Sequence, residues 1–317
     1  MKKILYIRQN KPGGTDNYCK HLYAMFEHDT ELQPLPVEDL PAVNSRLFHC
    51  YYKPLPLAKA INEADIIHIN GYTAMGTVQA LYTAHQLHKT IVYTAHWHPF
   101  QYLRHPFLGK LFFHLFIRPA IRKYAHVVTT INNDDTCFFH AIHPNVIQIP
   151  HWFESTVPAK KPTKKPNMIL FVGRADDPVK GLSHLYSLPE GQYEVHCVGP
   201  GHIARQDFHQ HVNISDAELA SLYMEAALLV IPSKYEAFSY AALEAMTYGT
   251  PVLMSERVRI ADYLQGLSGY QLFRYGDTND FLQKVTSTIG TKVDADKVCQ
   301  TFAPARIEQL YKTVYRQ

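Results

Sequence analysis

The sequence lacks the features that would place a chain in an oxidising compartment or inside a bilayer. Its five cysteines, Cys19, Cys50, Cys137, Cys197 and Cys299, are scattered, odd in number and never spaced Cys-x-x-Cys. That argues against a disulfide framework or a thiolate zinc site and points to a reducing cytosol. No stretch approaches the roughly 20 apolar residues needed to span a bilayer. The opening segment MKKILYIRQNKPGG has an apolar run of only about four residues, too short for the h-region of a signal peptide, and reads as a first β-strand. Charge of one sign is also missing: 31 Lys and Arg against 28 Asp and Glu leave the chain near neutral, with 19 His able to add charge below neutrality. A nucleic-acid binder is therefore not expected, and any basic surface must be local.

What is present is enough for a full core. With 317 residues, 46% hydrophobic and 19% charged, the chain exceeds the length at which one core usually stops growing, so two domains are expected. Short runs rich in Ile, Val, Leu and Tyr alternate with helical spacing, the pattern of parallel α/β sheets. In the first half these are KILYIR, IIHING, TIVYTAH, HVVTTIN and VIQIPHW; in the second, MILFVGR, YEVHCVG, LLVIPS and PVLMSE. Between the series lies VPAKKPTKKP, a Pro and Lys tract that suits neither a helix nor an interior strand. It reads as a boundary, or less readily as a surface loop within one domain. The expected division is residues 1–157, a linker at 158–166, a second domain at 167–300, and an amphipathic helix at 301–317 that packs back on the first domain, with Ile307, Leu310 and Val314 on its apolar stripe.

Loops that follow strands of a parallel sheet are where ligands bind. Gly13 and Gly14 in KPGGTDNYCKHL follow the first strand and precede a helix, where absent side chains and a helix N-terminus suit a phosphate, or simply a tight turn. The full Gly-x-Gly-x-x-Gly pattern is missing. In FVGRADDPVKGLSHL, Gly173 and Arg174 follow a strand and Lys180 and Gly181 precede a helix. A forked guanidinium and a mobile ammonium together suit a diphosphate, though two solvated cations would look the same, and the spacing is not that of a Walker loop. In IPSKYEAFSYAALEAMTYGTPVL, Glu236 follows a strand and Glu244 lies eight residues on, in a helix that Ser239 opens and Gly249 closes. Both carboxylates would project near that helix N-terminus and could accept hydrogen bonds from sugar hydroxyls.

These motifs taken together resemble the retaining GT-B glycosyltransferases of glycosyltransferase family 4, the lipopolysaccharide and capsule type called glycosyl transferases group 1. The likeness rests on Gly173-Arg174 with Lys180-Gly181, on Glu236-x7-Glu244, and on YGTPVL. It implies two Rossmann-like domains facing a central cleft, diphosphate binding by Arg174 and Lys180, donor-sugar contact by Glu236, ribose contact by Glu244, and main-chain donors around Phe238, Ser239 and Tyr240. Ala237 and Ser239 stand where the family usually has glycine, and PHWFE at 150–154 replaces Asn-Gly-Val-Asp. By the same resemblance His96, in YTAHWHPF, matches a histidine near the anomeric centre of the donor sugar. His96 and His98 face the same way on an extended segment, but no third ligand is evident, and no metal or other cofactor is expected.

The implied activity is transfer of a sugar from a nucleoside-diphosphate donor, UDP favoured and GDP the alternative, to a glycan or lipid-linked glycan acceptor in bacterial surface polysaccharide or lipopolysaccharide synthesis. Two other classes fit the same architecture: a catalytically silent glycan-binding partner of another transferase, and a sugar-nucleotide epimerase. The segment HPFLGKLFFHLFIRPAIRKYAH is apolar from Phe107 to Ile117 except for Lys110 and His114, which with Arg118 and Arg122 recur every fourth residue. It reads either as a core helix or as a helix in the interface of an anionic inner-leaflet membrane, with Pro119 expected to interrupt it before Arg122.

Overall fold

The computed structural model describes the chain except for residues 9–13, 37–39, 46–48, 72–74, 97–105 and 154–161. Gly13, His98, Glu154 and the first part of the expected linker lie outside the described residues. The chain forms two compact units, one made of Met1–His151 with Ala305–Gln317, the other of Trp152–Pro304.

The first unit holds the strands β1 (Lys2–Ile7), β2 (Leu32–Pro34), β3 (Ala42–Ser45), β4 (His49–Tyr52), β5 (Ile66–Asn70), β6 (Thr90–Ala95), β7 (Val127–Thr130) and β8 (Val146–Gln148). Six of them form a parallel sheet in the order β2-β1-β5-β6-β7-β8, while β3 and β4 pair as an antiparallel hairpin. β5 and β7 are buried at every position, because helices cover both faces of a parallel sheet. Ile67, Ile69, Ile91, Tyr93 and Val128 pack with Leu81, Ile117 and Ile121 in one core. The C-terminal helix Pro304–Tyr315 also belongs to this unit. Its Tyr315 hydroxyl lies 2.7 Å from His68 Nδ1, its Tyr315 ring 5.6 Å from that of Phe26, and Lys312 Nζ 2.7 Å from Asp29 Oδ2. The buried stripe of that helix is Ile307, Tyr311, Val314 and Tyr315, with Leu310 only half-buried, because two tyrosines reach the buried hydroxyls and imidazoles of the sheet.

The second unit holds β9 (Lys165–Val172), β10 (Glu194–Val198), β11 (His209–His211), β12 (Ala226–Ile231), β13 (Val252–Ser255) and β14 (Tyr270–Phe273), all parallel, in the order β11-β10-β9-β12-β13-β14. Strand order reverses between β9 and β12, so the crevice at the ends of those two strands is the topological switch point where open α/β sheets take ligands. The core beneath includes Ile169, Phe171, Val195, Leu228, Val230 and Phe281.

Three sequence expectations differ from what is observed. The compact units divide between His151 and Trp152, ahead of residues 158–166, and Lys165 and Pro166 already belong to β9. Proline is tolerated at the start of a strand, where its missing N–H breaks no interior ladder. The segment after Lys180-Gly181 is a 3₁₀ helix, Leu182–Ser187, not an α-helix. Pro119 does not interrupt its helix: Pro106–Phe112 passes through a π turn, Phe113–Ile117, into Arg118–Tyr124. In that wider turn the Arg118 N–H bonds to the Phe113 carbonyl, and a turn that departs from i→i−4 bonding gives proline room. The widened turn also ends the four-residue repeat of cations, leaving Arg118 half-buried while Lys110, His114 and Arg122 are exposed.

Candidate functional site

The second unit brings the loop after β9 against the loop after β12. Gly173 follows the last residue of β9, with its N–H bonded to Val198 O at 2.9 Å. A Cβ there would stand 3.3 Å from Lys180 Cδ, so the lysine stem lies across the bare glycine. Gly181 has φ +71°, and a Cβ on it would sit 2.1 Å from Pro232 O, so only glycine permits this approach to the end of β12. The Lys234 N–H donates to Val179 O at 2.7 Å and ties the same two loops.

The result is an ion pair: Lys180 Nζ donates to Glu236 Oε1 at 3.0 Å, with the side chains 33% and 16% exposed. Ser233 Oγ donates to the same oxygen at 2.6 Å. Main-chain bonds from Glu236 N to Arg257 O and from Arg259 N to Glu236 O hold the carboxylate in place from the other side. Arg174 is near but turned outward, 64% exposed, with its guanidinium 3.8 Å from Asp176 and 3.6 Å from Asp177. Exposed pairs of this kind contribute little, so the guanidinium can exchange them for another anion at small cost.

Ser239 caps the helix Tyr240–Thr247, its hydroxyl accepting from Ala242 N at 3.4 Å. The Phe238 side chain is buried, its ring 5.7 Å from Phe302 and 5.9 Å from Tyr240, so what it can offer a ligand is main chain. Glu236 lies in the loop ahead of that helix, and Glu244 lies within it. Glu244 occupies the second turn, where the Tyr223 hydroxyl donates to Oε2 at 2.8 Å. Burial pushes its pKa up, the Tyr223 hydrogen bond pulls it down, and nearby Asp216 pushes it up again, with a net rise. Sequence reasoning missed Ser233, although it closes the strand run three residues before Glu236. It also missed Tyr223, which reaches Glu244 from another helix with no local signal.

His96 and Gly14 belong to the first unit. Gly14 is the first residue of the helix Gly14–Phe26. His96 follows β6, and its Nε2 lies 2.8 Å from Asn70 Oδ1. Because Asn70 Nδ2 donates to Ile7 O at 3.2 Å, its Oδ1 faces the histidine, and Nε2 carries the proton. The ring is partly exposed, but the protein around it pushes its pKa down to about 3 by burial, so the imidazole is neutral. Tyr18 meets it edge-on at 4.5 Å and His151 stacks at 6.0 Å. His151 is held well below the ordinary range by burial and then by the His96 and His21 rings.

Residues 166–290 match the profile of the family described as Glycosyl transferases group 1, a stretch that includes Gly173, Arg174, Lys180, Glu236 and Glu244. A curated relative, the MMP alpha-(1->4)-mannosyltransferase of Mycolicibacterium hassiacum, is 37% identical over 106 residues, covering 28% of this chain and 26% of the relative. The chain thus aligns with about a quarter of that protein. Among solved structures, Anabaena Alr3699/HepE in complex with UDP and glucose superposes with a TM-score of 0.74 at 17% identity, covering 100% of both chains. The sucrose-phosphate synthase of Thermosynechococcus elongatus superposes at 0.67 and 17% identity, covering 100% of this chain and 99% of the other. Likeness at this identity concerns the fold, which is α/β of the GT-B class, with two parallel-sheet units.

Proposed function

We propose that the chain is a retaining glycosyltransferase of family 4 that takes a nucleoside-diphosphate sugar, UDP-linked in preference to GDP-linked, and passes the sugar to a glycan or lipid-linked glycan. The observation that carries the reading is the Lys180–Glu236 ion pair at the switch point of the second sheet. A diphosphate entering there meets a lysine ready to exchange its carboxylate partner, an exposed arginine and the N-terminus of the helix Tyr240–Thr247. Lys180 and Arg174 offset the charge that develops on the leaving diphosphate, and the acceptor hydroxyl enters on the same face of the sugar. Glu236, released from Lys180, accepts from a sugar hydroxyl, while Glu244 accepts from the ribose. His96, neutral and with Nε2–H held by Asn70, offers its Nδ1 lone pair to a hydroxyl. Transfer in this scheme uses the protein's own cations and no metal.

The exposed apolar residues Phe107, Leu111, Leu115 and Phe116 lie on the same helical segment as Lys110, His114 and Arg122, while Phe113, Ile117 and Ile121 anchor its other side in the core. That arrangement supports peripheral attachment to an anionic leaflet on the cytoplasmic side, where a lipid-linked acceptor for surface polysaccharide synthesis would be presented. Among the described residues no helix is long and apolar enough to cross a membrane.

The test is a panel of UDP- and GDP-hexoses, followed for nucleoside diphosphate release with and without lipid-linked glycans. Acceptor-dependent release is expected. Isomerised donor without release would mark an epimerase, and donor left intact under every condition would mark a silent binding partner.

A further inference from the structure

Four polar side chains gather on one face of the edge of the second sheet. Glu194 and His196 lie two apart on β10, and His209 and His211 two apart on β11, so each pair shares a face. The parallel register sets His196 directly opposite His209. We propose that Glu194, His196 and His209 bind a divalent transition-metal ion of the zinc type, with His211 orienting His196.

The distances favour a chelate over a chance cluster. His196 Nε2 lies 2.7 Å from Glu194 Oε1, and one ligand atom from each of Glu194, His196 and His209 lies within 4.8 Å of the others. Around a tetrahedral zinc such atoms stand about 3.3 Å apart. His209 is exposed with its ring 4.9 Å from that of His196, whereas His196 is 7% exposed. Two imidazoles and one carboxylate select zinc or its transition-metal neighbours over magnesium or calcium, which prefer all-oxygen shells.

Both faces of His196 are accounted for. Its Nδ1 lies 2.9 Å from His211 Nε2, the rings stacked at 5.1 Å. When Nδ1–H donates to His211, the Nε2 lone pair is free for the metal, the arrangement by which a neighbouring group orients a ligating histidine. His211 accepts that hydrogen bond through its Nε2 lone pair, 2.9 Å away, when its own proton sits on Nδ1. Glu194 lies 3.6 Å from Lys165 Nζ, but Lys165 is also 3.3 Å from Glu225 and retains that partner if Glu194 turns to the metal.

The ion would pin a three-residue edge strand that supports the loop at the switch point. His211 O accepts from Gly199 N at 2.9 Å, and Gln210 Nε2 donates to Gly199 O at 3.0 Å and Gly201 O at 2.8 Å. Between those two glycines, Pro200 O accepts from Ala175 N at 2.8 Å, and a Cβ on Gly199 would stand 2.3 Å from Gly173 O, so the two loops lie close together. The ion's part is structural and independent of the transfer chemistry.

The test uses tag-free full-length protein stripped with a chelator and titrated with zinc chloride by calorimetry, with melting followed in parallel. One zinc per chain is expected, raising Tm by roughly 5 °C at a hundredfold excess over Kd, while magnesium chloride leaves Tm unchanged. His209→Asn and Glu194→Gln should each weaken zinc binding by about tenfold or more. His202→Asn, an exposed imidazole outside the cluster, should bind as wild type. Absence of saturable zinc binding, or wild-type affinity in either the His209 or the Glu194 variant, overturns the proposal.

Discussion

Lys180 Nζ and Glu236 Oε1 stand 3.0 Å apart across the two strand ends where the order of the second sheet reverses. The pair stores the cation and the carboxylate that a diphosphate sugar would need, each neutralised by the other until the ligand separates them. Lys180→Ala should therefore lower turnover by about two to three powers of ten, the cost of losing one preorganised electrostatic partner. Circular dichroism on the same preparation should be unchanged, and a folded variant with near wild-type turnover removes Lys180 from the mechanism.

Glu236 and Glu244 should separate kinetically. Glu236→Ala is expected to lower kcat more than it raises KM for the donor, because the role proposed for Glu236 is contact with the transferred sugar. Glu244→Ala should raise donor KM by the equivalent of roughly 1.5–3 kcal/mol, the range for a hydrogen bond to a charged group. Equal kcat and KM effects in the two variants would refute this division.

Glu244 also carries a pH signature. Burial raises its pKa in the folded state, so the folded form holds the proton more tightly and stability is lost as pH rises through the folded value. Glu244→Gln keeps an acceptor for Tyr223 without that charge. Its Tm should exceed wild type at pH 8, with the gain shrinking toward pH 4; a constant offset across that range would contradict the burial.

Buried histidines work in the opposite sense in the first unit. His68 and His96 are pushed down to about 3 and His151 well below its ordinary value, each mainly by burial. Their neutral forms contribute stability that is fully present above the unfolded pKa of about 6.5 and lost as pH falls toward the folded values, about 2 kcal/mol each for His68 and His96 at pH 5, with His151 acting in the same direction. Urea titrations at pH 7.5 and 5 should show this loss, and His68→Gln should reduce it.

Gly181 and Gly249 both have positive φ, +71° and +79°, but only Gly181 has backbone 2.1 Å from where a Cβ would go. Gly181→Ala should cost roughly 1–3 kcal/mol from strain and displace Lys180 from Glu236. Gly249→Ala, with open space around it, should cost less. Urea midpoints compare them, and the reverse ranking would contradict the contact between the loops.

Much of this was legible in the sequence because the signals were local. The strand runs of both halves lie where strands form, since a parallel sheet buried on both faces demands continuous Ile, Val and Leu. Lys180 and Glu236 were legible as loop residues after strands, but their contact was not: 56 residues separate them, and Gly181 and Pro232 close the gap. Tyr223 was invisible for the same reason. The π turn before Pro119 escaped notice because nothing in FFHLFIRP distinguishes it from an ordinary helix ended by proline. The histidines of β10 and β11 carry no local signal of a shared site, because only the strand register sets His196 beside His209.

Titrating UDP, and GDP for comparison, into the wild-type protein by calorimetry tests the central assignment most directly, because it needs no acceptor. One UDP per chain is expected, bound more tightly than GDP and weakened about tenfold or more by Glu244→Ala, in line with the loss of a charge-assisted hydrogen bond. If neither nucleotide binds, or if UDP binds with equal affinity to Lys180→Ala, Glu244→Ala and wild type, the nucleotide-sugar site is not where these residues meet.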